Sequence, residues 1–242
     1  MKWALLSDVH GNLEALWAVI ADLRAEGAER IAFLGDAVGY GANPEDCLNL
    51  IEKLAEIIVA GNHDYGAVGL TDVSCFNPAA KAAILWTEKK LTEEEKSFLR
   101  RLPLVRQVGD ISFIHATPHE PAEWHYIFTL PEAEEGFQAM SGELVFIGHS
   151  HAPVILSKRR SEGVNAYKKS EAVVEKGVRY IINVGSVGQP RDRDPRAAYG
   201  LYDENSGKYL LKRVPYDVDT AQRKIIAAGL PLYLARRLSQ GI

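Results

Sequence analysis

The chain has 242 residues, 47% of them hydrophobic and 25% charged, with a formal net charge of -4 at pH 7. That length and balance suit an α/β protein with a sizeable core, and the acidic charge offers no general pull on nucleic acid or an anionic membrane. No apolar run approaches the roughly 18 residues that span a bilayer, no signal-peptide core follows Met1-Lys2, and two cysteines (Cys47 and Cys75) make no disulfide framework, so a cytoplasmic protein is expected.

Trp3 to Ser7 reads as a short buried strand, followed by Leu13, Leu16, Trp17, Ile20 and Leu23 at helical spacing, with Asn12 as N-cap. A second strand, Arg30 to Leu34, ends at Gly35-Asp36. Pro44, with Glu45 and Asp46 behind it, opens the next helix. Glu56 to Ala60 is a third strand, ending at Gly61-Asn62-His63-Asp64. This βαβαβ run predicts a parallel sheet with helical crossovers. Helices are expected over Ala79 to Thr87 and from Thr92 to Arg101, the latter behind a capping box. Val105 to Val108 and Ile111 to Ile114 read as a hairpin. Leu144 to Ile147, Val154 to Ser157, Arg179 to Val184, Tyr199 to Tyr202 and Tyr209 to Val214 are further strands, with a last helix after Asp217. With no repeat and no linker, residues 1–242 are expected to form a single α/β unit with two sheets.

Chemistry concentrates where the strands end. Asp8-Val9-His10, Gly35-Asp36, Gly61-Asn62-His63-Asp64, His115 and Gly148-His149-Ser150-His151 each follow an apolar run. In an open parallel sheet those ends share one edge, where ligands bind. In extended backbone, residues two apart point the same way, so Asp8 with His10 and His149 with His151 are each expected to aim two ligands at one pocket. Singly, an Asp or Asn after a strand is a turn residue or helix cap. Together, imidazoles, carboxylates and an amide without thiolates suit two divalent transition metals of the Mn, Fe, Zn, Co or Ni kind. The inventory allows one site of Asp8, His10 and His151, a second of Asn62, His115 and His149, and Asp36 shared between them. Two such ions activate a bridging hydroxide for in-line attack on phosphorus. His63, held by Asp64, is placed outside the metal ligands as a general acid or a stabiliser of phosphoryl charge.

These five blocks resemble those of the calcineurin-like metallophosphoesterase superfamily, in its small single-domain bacterial and archaeal phosphodiesterase-like branch. The resemblance implies a four-layer α-β-β-α sandwich with two mixed sheets, a dinuclear centre with Asp36 bridging, and a catalytic His63. It also implies hydrolysis of small phosphodiesters or nucleotides, of the cyclic-nucleotide or dinucleoside polyphosphate type. Protein Ser/Thr phosphatase is the alternative, with a non-catalytic scaffold of the same fold and a nuclease further off.

Three features bear on substrate. The segment Asn183-Val184-Gly185-Ser186-Val187-Gly188 could expose backbone N–H groups to an anion, with Gln189, Arg191 and Arg193 reaching phosphate; otherwise it is a tight turn beside a self-neutralising charge cluster. In the loop 117–130, Trp124, His125 and Tyr126 either wall a nucleobase or pin the loop to the body, and His119 could meet a phosphate. Lys158-Arg159-Arg160 reads as a solvated turn. The C-terminal Leu230 to Leu234 stretch either caps the core or meets another subunit, leaving the oligomeric state open.

Overall fold

The computed structural model describes residues 1–160 and 162–242. In chain order, β1 (Lys2–Leu6), α1 (Leu13–Ala25), β2 (Arg30–Phe33), α2 (Pro44–Leu54) and β3 (Ile57–Ile58) build the expected βαβαβ run. Helices α3 (Asn62–Gly66), α4 (Pro78–Lys90) and α5 (Glu93–Arg101) follow, then the hairpin β4 (Val105–Val108) and β5 (Ile111–Ile114). After α6 (Leu130–Ala139) come β6 (Leu144–Ile147), β7 (Val154–Arg159), β8 (Asn165–Tyr167), β9 (Glu171–Val173), β10 (Val178–Asn183), β11 (Ala197–Asp203) and β12 (Lys208–Val214). Helices α7 (Val218–Ala227) and α8 (Leu232–Arg236) end the order. No helix among the described residues is long and apolar enough to cross a membrane.

The strands form two six-stranded mixed sheets, β3-β2-β1-β11-β12-β9 and β4-β5-β6-β10-β7-β8. β1, β2 and β3 are parallel, and β11 adds antiparallel to β1 with Ala4 opposite Leu201. The alternation of side chains along each strand then divides the apolar residues between layers. Trp3 and Leu5 of β1 face Phe113, Phe146 and Ile182 between the sheets, whereas Ala4 and Leu6 face α1, α2 and α5. In the second sheet Ile114, Val145, Ile147 and Ile181 turn outward onto Ala133 and Phe137 of α6. Both faces of the central strands are covered, so β1, β5, β6 and β10 read as largely apolar runs rather than alternating ones. This is the expected helix-sheet-sheet-helix layering.

Three local differences from the sequence reading have physical causes. β3 keeps only two ladder residues because Ala60 N–H leaves the sheet to donate to Pro103 O (2.9 Å), and α3 starts at once behind Gly61. Helix α6 was not expected, although Thr129 and Glu132 form a capping box around Pro131. β8 and β9 are short edge strands of exposed, polar character, without a periodic signal. At the C-terminus, Leu230, Leu234 and Leu238 cover α4 and Tyr40, while Leu232 and Tyr233 stay exposed. Of the basic triplet, Lys158 pairs with Glu134 and Arg159 with Glu175 on the surface.

Candidate metal centre

The ends of the two sheets are laced together by backbone hydrogen bonds. The loop after β1 donates from Asp8, His10 and Gly11 N–H to Gly35, Asp36 and Ala37 O at 2.9–3.0 Å. From the other sheet, Val187 N–H donates to Ser7 O and Gly188 N–H to Asp8 O, both at 2.9 Å. Ser186 Oγ adds a bond to Asp8 O (2.8 Å). Here the expected anion cradle is corrected. The N–H groups of Val184, Gly185, Val187, Gly188 and Gln189 are all consumed inside the protein, so this glycine-rich turn fastens the sheets instead of binding an anion.

The expectation that extended backbone would align the paired ligands is also corrected. Asp8, His10, Asp36, His149 and His151 all have positive φ, between 49° and 66°. Left-handed backbone costs non-glycine residues about 1–3 kcal/mol each and persists where surrounding structure over-determines it, typically at functional sites. The inter-loop bonds above supply that constraint.

The structure brings six of the proposed side chains to one buried focus, with Asn62 on the cavity wall nearby. His151 Nε2 lies 3.2 Å from Asp8 Oδ1, and Asp36 Oδ2 lies 3.5 Å from His10 Nε2 and 3.4 Å from His115 Nε2. His10 and His151 face each other through their Nε2 atoms at 3.1 Å. His149 Nδ1 meets His115 Nε2 at 3.2 Å. Asp36 thus stands between the His10 half and the His115 half. Asn62 is buried and lines the same cavity as His149.

Backbone carbonyls fix the tautomers. Nδ1–H of His10 donates to Val38 O (3.0 Å), that of His115 to Leu34 O (2.7 Å) and that of His151 to Gln189 O (2.6 Å), which turns each Nε2 inward. His149 is reversed. Its Nε2–H donates to Trp124 O (2.8 Å), so Nδ1 faces the centre. The carboxylates divide their oxygens in the same way. Asp8 Oδ2 accepts from His149 N–H (3.0 Å) and Asp36 Oδ1 from His63 N–H (2.8 Å), freeing the other oxygen of each. Among the described residues, Asp8 Oδ1 and Asn62 Oδ1 are buried without any hydrogen-bond partner. Buried lone pairs left unpaired are costly unless a cation takes them. The N/O donor set with anchored imidazoles therefore fits divalent transition metals.

Charge follows the same layout. Burial alone would raise the carboxyls of Asp8 and Asp36, but the imidazoles around them hold both well below the usual carboxylate range. Burial opposes charging of His115, yet Asp36 and Asp8 outweigh it and push its pKa up to about 9. Burial pushes His149 down to about 3 and His63 down to about 4.

His63 lies against this focus, its ring 4.7 Å from that of His10 and 4.4 Å from that of Tyr40, and its Nδ1 buried without a partner. Asp64 does not hold it, contrary to expectation. The Asp64 carboxylate accepts N–H bonds from Asp36 (2.8 Å), Ala37 (2.9 Å) and Gly61 (3.1 Å), because its position in the first turn of α3 turns it toward the β2 loop. What packs His63 is Gly39, where an added Cβ would lie 2.5 Å from Nδ1.

Arg191 turns inward, away from the charge cluster that Arg213 and Arg196 neutralise through Asp192 and Asp194. Its guanidinium donates to Tyr40 Oη (3.3 Å) and Gln189 Oε1 (2.9 Å), with Nε buried and unpartnered. Arg193 is exposed. Beside the centre opens a cavity of about 580 Å³, lined among others by Asn62, His63 and His149 and by the aromatic rings of Phe76, Trp124 and Tyr126. Trp124 pins the loop by donating to Thr71 Oγ1 (3.1 Å), and it also lines the cavity. Tyr126 stacks on His149 at 4.0 Å. Tyr65 packs edge-on against Trp124 (5.7 Å) and donates to Leu102 O (2.7 Å). His119 and His125 stand apart, half-exposed on the far side of the loop, so the structure does not bring His119 to the centre. Sequence reasoning missed Phe76, Leu70, Thr71 and Asp72 on the cavity wall, since no motif or periodicity marks them.

Residues 1–207 match the sequence profile described as the calcineurin-like phosphoesterase superfamily domain. The chain is 41% identical to an uncharacterized protein of Methanocaldococcus jannaschii, over 98% of this chain and 97% of that one. It superposes on the crystal structure of a metallophosphoesterase from Sphaerobacter thermophilus with a TM-score of 0.88 and 38% identity, covering 100% of this chain and 99% of that one. It is 27% identical to a symmetrical bis(5'-nucleosyl)-tetraphosphatase of Coxiella burnetii over 57% of this chain and 48% of that protein, so it spans about half of that relative.

Proposed function

Because the chain belongs to the calcineurin-like phosphoesterase superfamily, whose members generally use two divalent metals, we propose that it hydrolyses small phosphodiesters or nucleotides at a dinuclear centre. Asp8, His10 and His151 would hold one ion, Asn62, His115 and His149 the other, with Asp36 between. When bound, the pair would supply an activated water and stabilise charge on the phosphoryl oxygens. The single observation that carries this reading is the inward presentation of four carbonyl-anchored imidazoles and two half-free carboxylates around orphaned Asp8 Oδ1 and Asn62 Oδ1.

The remaining residues do ordinary protein chemistry. His63, on the cavity wall, would give a proton to the leaving oxygen; the negative charge of a bound phosphate raises its affinity for that proton. Arg191, whose Nε lacks a partner, would contact phosphoryl oxygen. The aromatic wall of Phe76, Trp124 and Tyr126 would hold a planar group such as a nucleobase, while Asp72 and Glu123 on the same rim oppose a polyanionic nucleic acid. The Coxiella relative's named activity, on a dinucleoside tetraphosphate, agrees with that size of substrate.

The test is a manganese-supplemented comparison of bis-p-nitrophenyl phosphate, diadenosine tetraphosphate and a phosphoserine peptide. Turnover of the first two above the peptide is expected. Faster turnover of the peptide would make the protein a Ser/Thr phosphatase, and silence with every divalent metal would make it a scaffold.

A further inference from the structure

On the outer side of the loop that roofs the cavity, three ligand-type side chains converge outside the metal centre. Pro121–Glu123 form a single tight turn, with Glu123 N–H donating to Glu120 O at 2.9 Å, and this folds His125 back beside His119. The two imidazole rings stack with centroids 5.8 Å apart and planes within 22°. Both aim Nε2 at one carboxylate oxygen, Glu120 Oε2, at 3.6 Å from His119 and 3.3 Å from His125. All three donor atoms lie within 4.8 Å of one another.

We propose that His119, Glu120 and His125 form a binding site for one further divalent cation of the zinc, nickel or copper kind. An ordinary ion pair needs one imidazole; here two imidazoles share one oxygen. Zinc-to-ligand bonds of about 2.0–2.1 Å put tetrahedral ligand atoms about 3.3 Å apart. The two imidazole-to-carboxylate separations, 3.3 and 3.6 Å, are close to that spacing, and the two Nε2 atoms lie within 4.8 Å of each other, so side-chain rotation alone would close the set around one ion. Two imidazoles and a carboxylate are a borderline donor set, which selects zinc, nickel or copper over magnesium or calcium. The site faces an open depression, whose wall also carries Glu135, leaving room for water or that carboxylate as fourth ligand.

Occupancy would tie the two ends of the 119–125 turn together. Trp124, inside that turn, supplies the carbonyl that accepts from His149, so the ion would steady one anchor of the metal centre from outside. The binding itself does not depend on the hydrolytic reading.

The experiment loads the full chain with manganese, adds zinc, and counts both elements per chain after gel filtration. The comparison is with the double variant His119→Ala/His125→Ala and with Glu120→Gln, whose thermal melts verify folding. The wild type is expected to keep its manganese and take up about one further zinc that the double variant does not, with Glu120→Gln weakening zinc binding at least about tenfold. Equal zinc uptake by wild type and double variant would overturn the proposal. So would zinc bound only in exchange for manganese.

Discussion

Two groups of histidines lie on either side of Trp124, and they are built differently. In the central group, His10, His115, His149 and His151 are buried, and each has one ring nitrogen tied to a backbone carbonyl. In the loop group, His119 and His125 are half-exposed, and their rings meet the exposed carboxylate of Glu120. Residue type is the same in both; preorganisation is not. Rings already locked in position lose little freedom when an ion arrives, whereas exposed rings must be ordered at that moment. The central group should therefore hold metal more tightly, and of the two groups it is the one beside the cavity that His63 lines.

Four substitutions sharpen or break that contrast. The largest effect is expected for Asp36→Ala, which removes the carboxylate between the two halves: both ions should leave together and hydrolysis should fall below detection. Elemental analysis showing two retained metals would break the picture of a shared carboxylate. His63→Ala is expected to lower turnover by about 10²–10⁴-fold, the usual worth of a general acid, with metal content unchanged. Asp64→Ala leaves the buried N–H groups of Asp36, Ala37 and Gly61 without their acceptor. At about 1–3 kcal/mol for an orphaned group, a melting temperature lower by several degrees is expected, together with weakened metal affinity. A melt unchanged from wild type would remove Asp64 from the scaffold of the centre. The smallest effect is expected for Arg191→Ala, about tenfold in kcat/KM with both metals in place; unchanged kinetics would exclude Arg191 from phosphate contact.

Much of this was legible in sequence for identifiable reasons. The first βαβαβ run was readable because the strands are apolar on both faces and the helices carry their own signals, such as Asn12 capping α1 through Ala15 N–H at 3.2 Å. The clustering of these polar residues was readable because Asp, Asn and His directly after a buried strand stand out chemically, and open sheets collect strand ends on one edge. Other features left no such trace. The polar edge strands β8 and β9 have one face in solvent and nothing periodic to show. The cavity wall of Leu70, Thr71 and Phe76 comes from the connection between α3 and α4, which carries no motif.

Sequence by itself determined which chemical groups this protein can bring to a strand edge, because strand ends and side-chain types are local properties. Tertiary structure decided how they are used. The left-handed turns at Asp8, His10, Asp36, His149 and His151, the carbonyl that sets each imidazole's tautomer, and the conversion of a glycine-rich turn into a fastener all depend on partners far apart in the chain. A hydrogen bond such as that from Ser186 Oγ to Asp8 O joins residues 178 positions apart, and no local pattern encodes it.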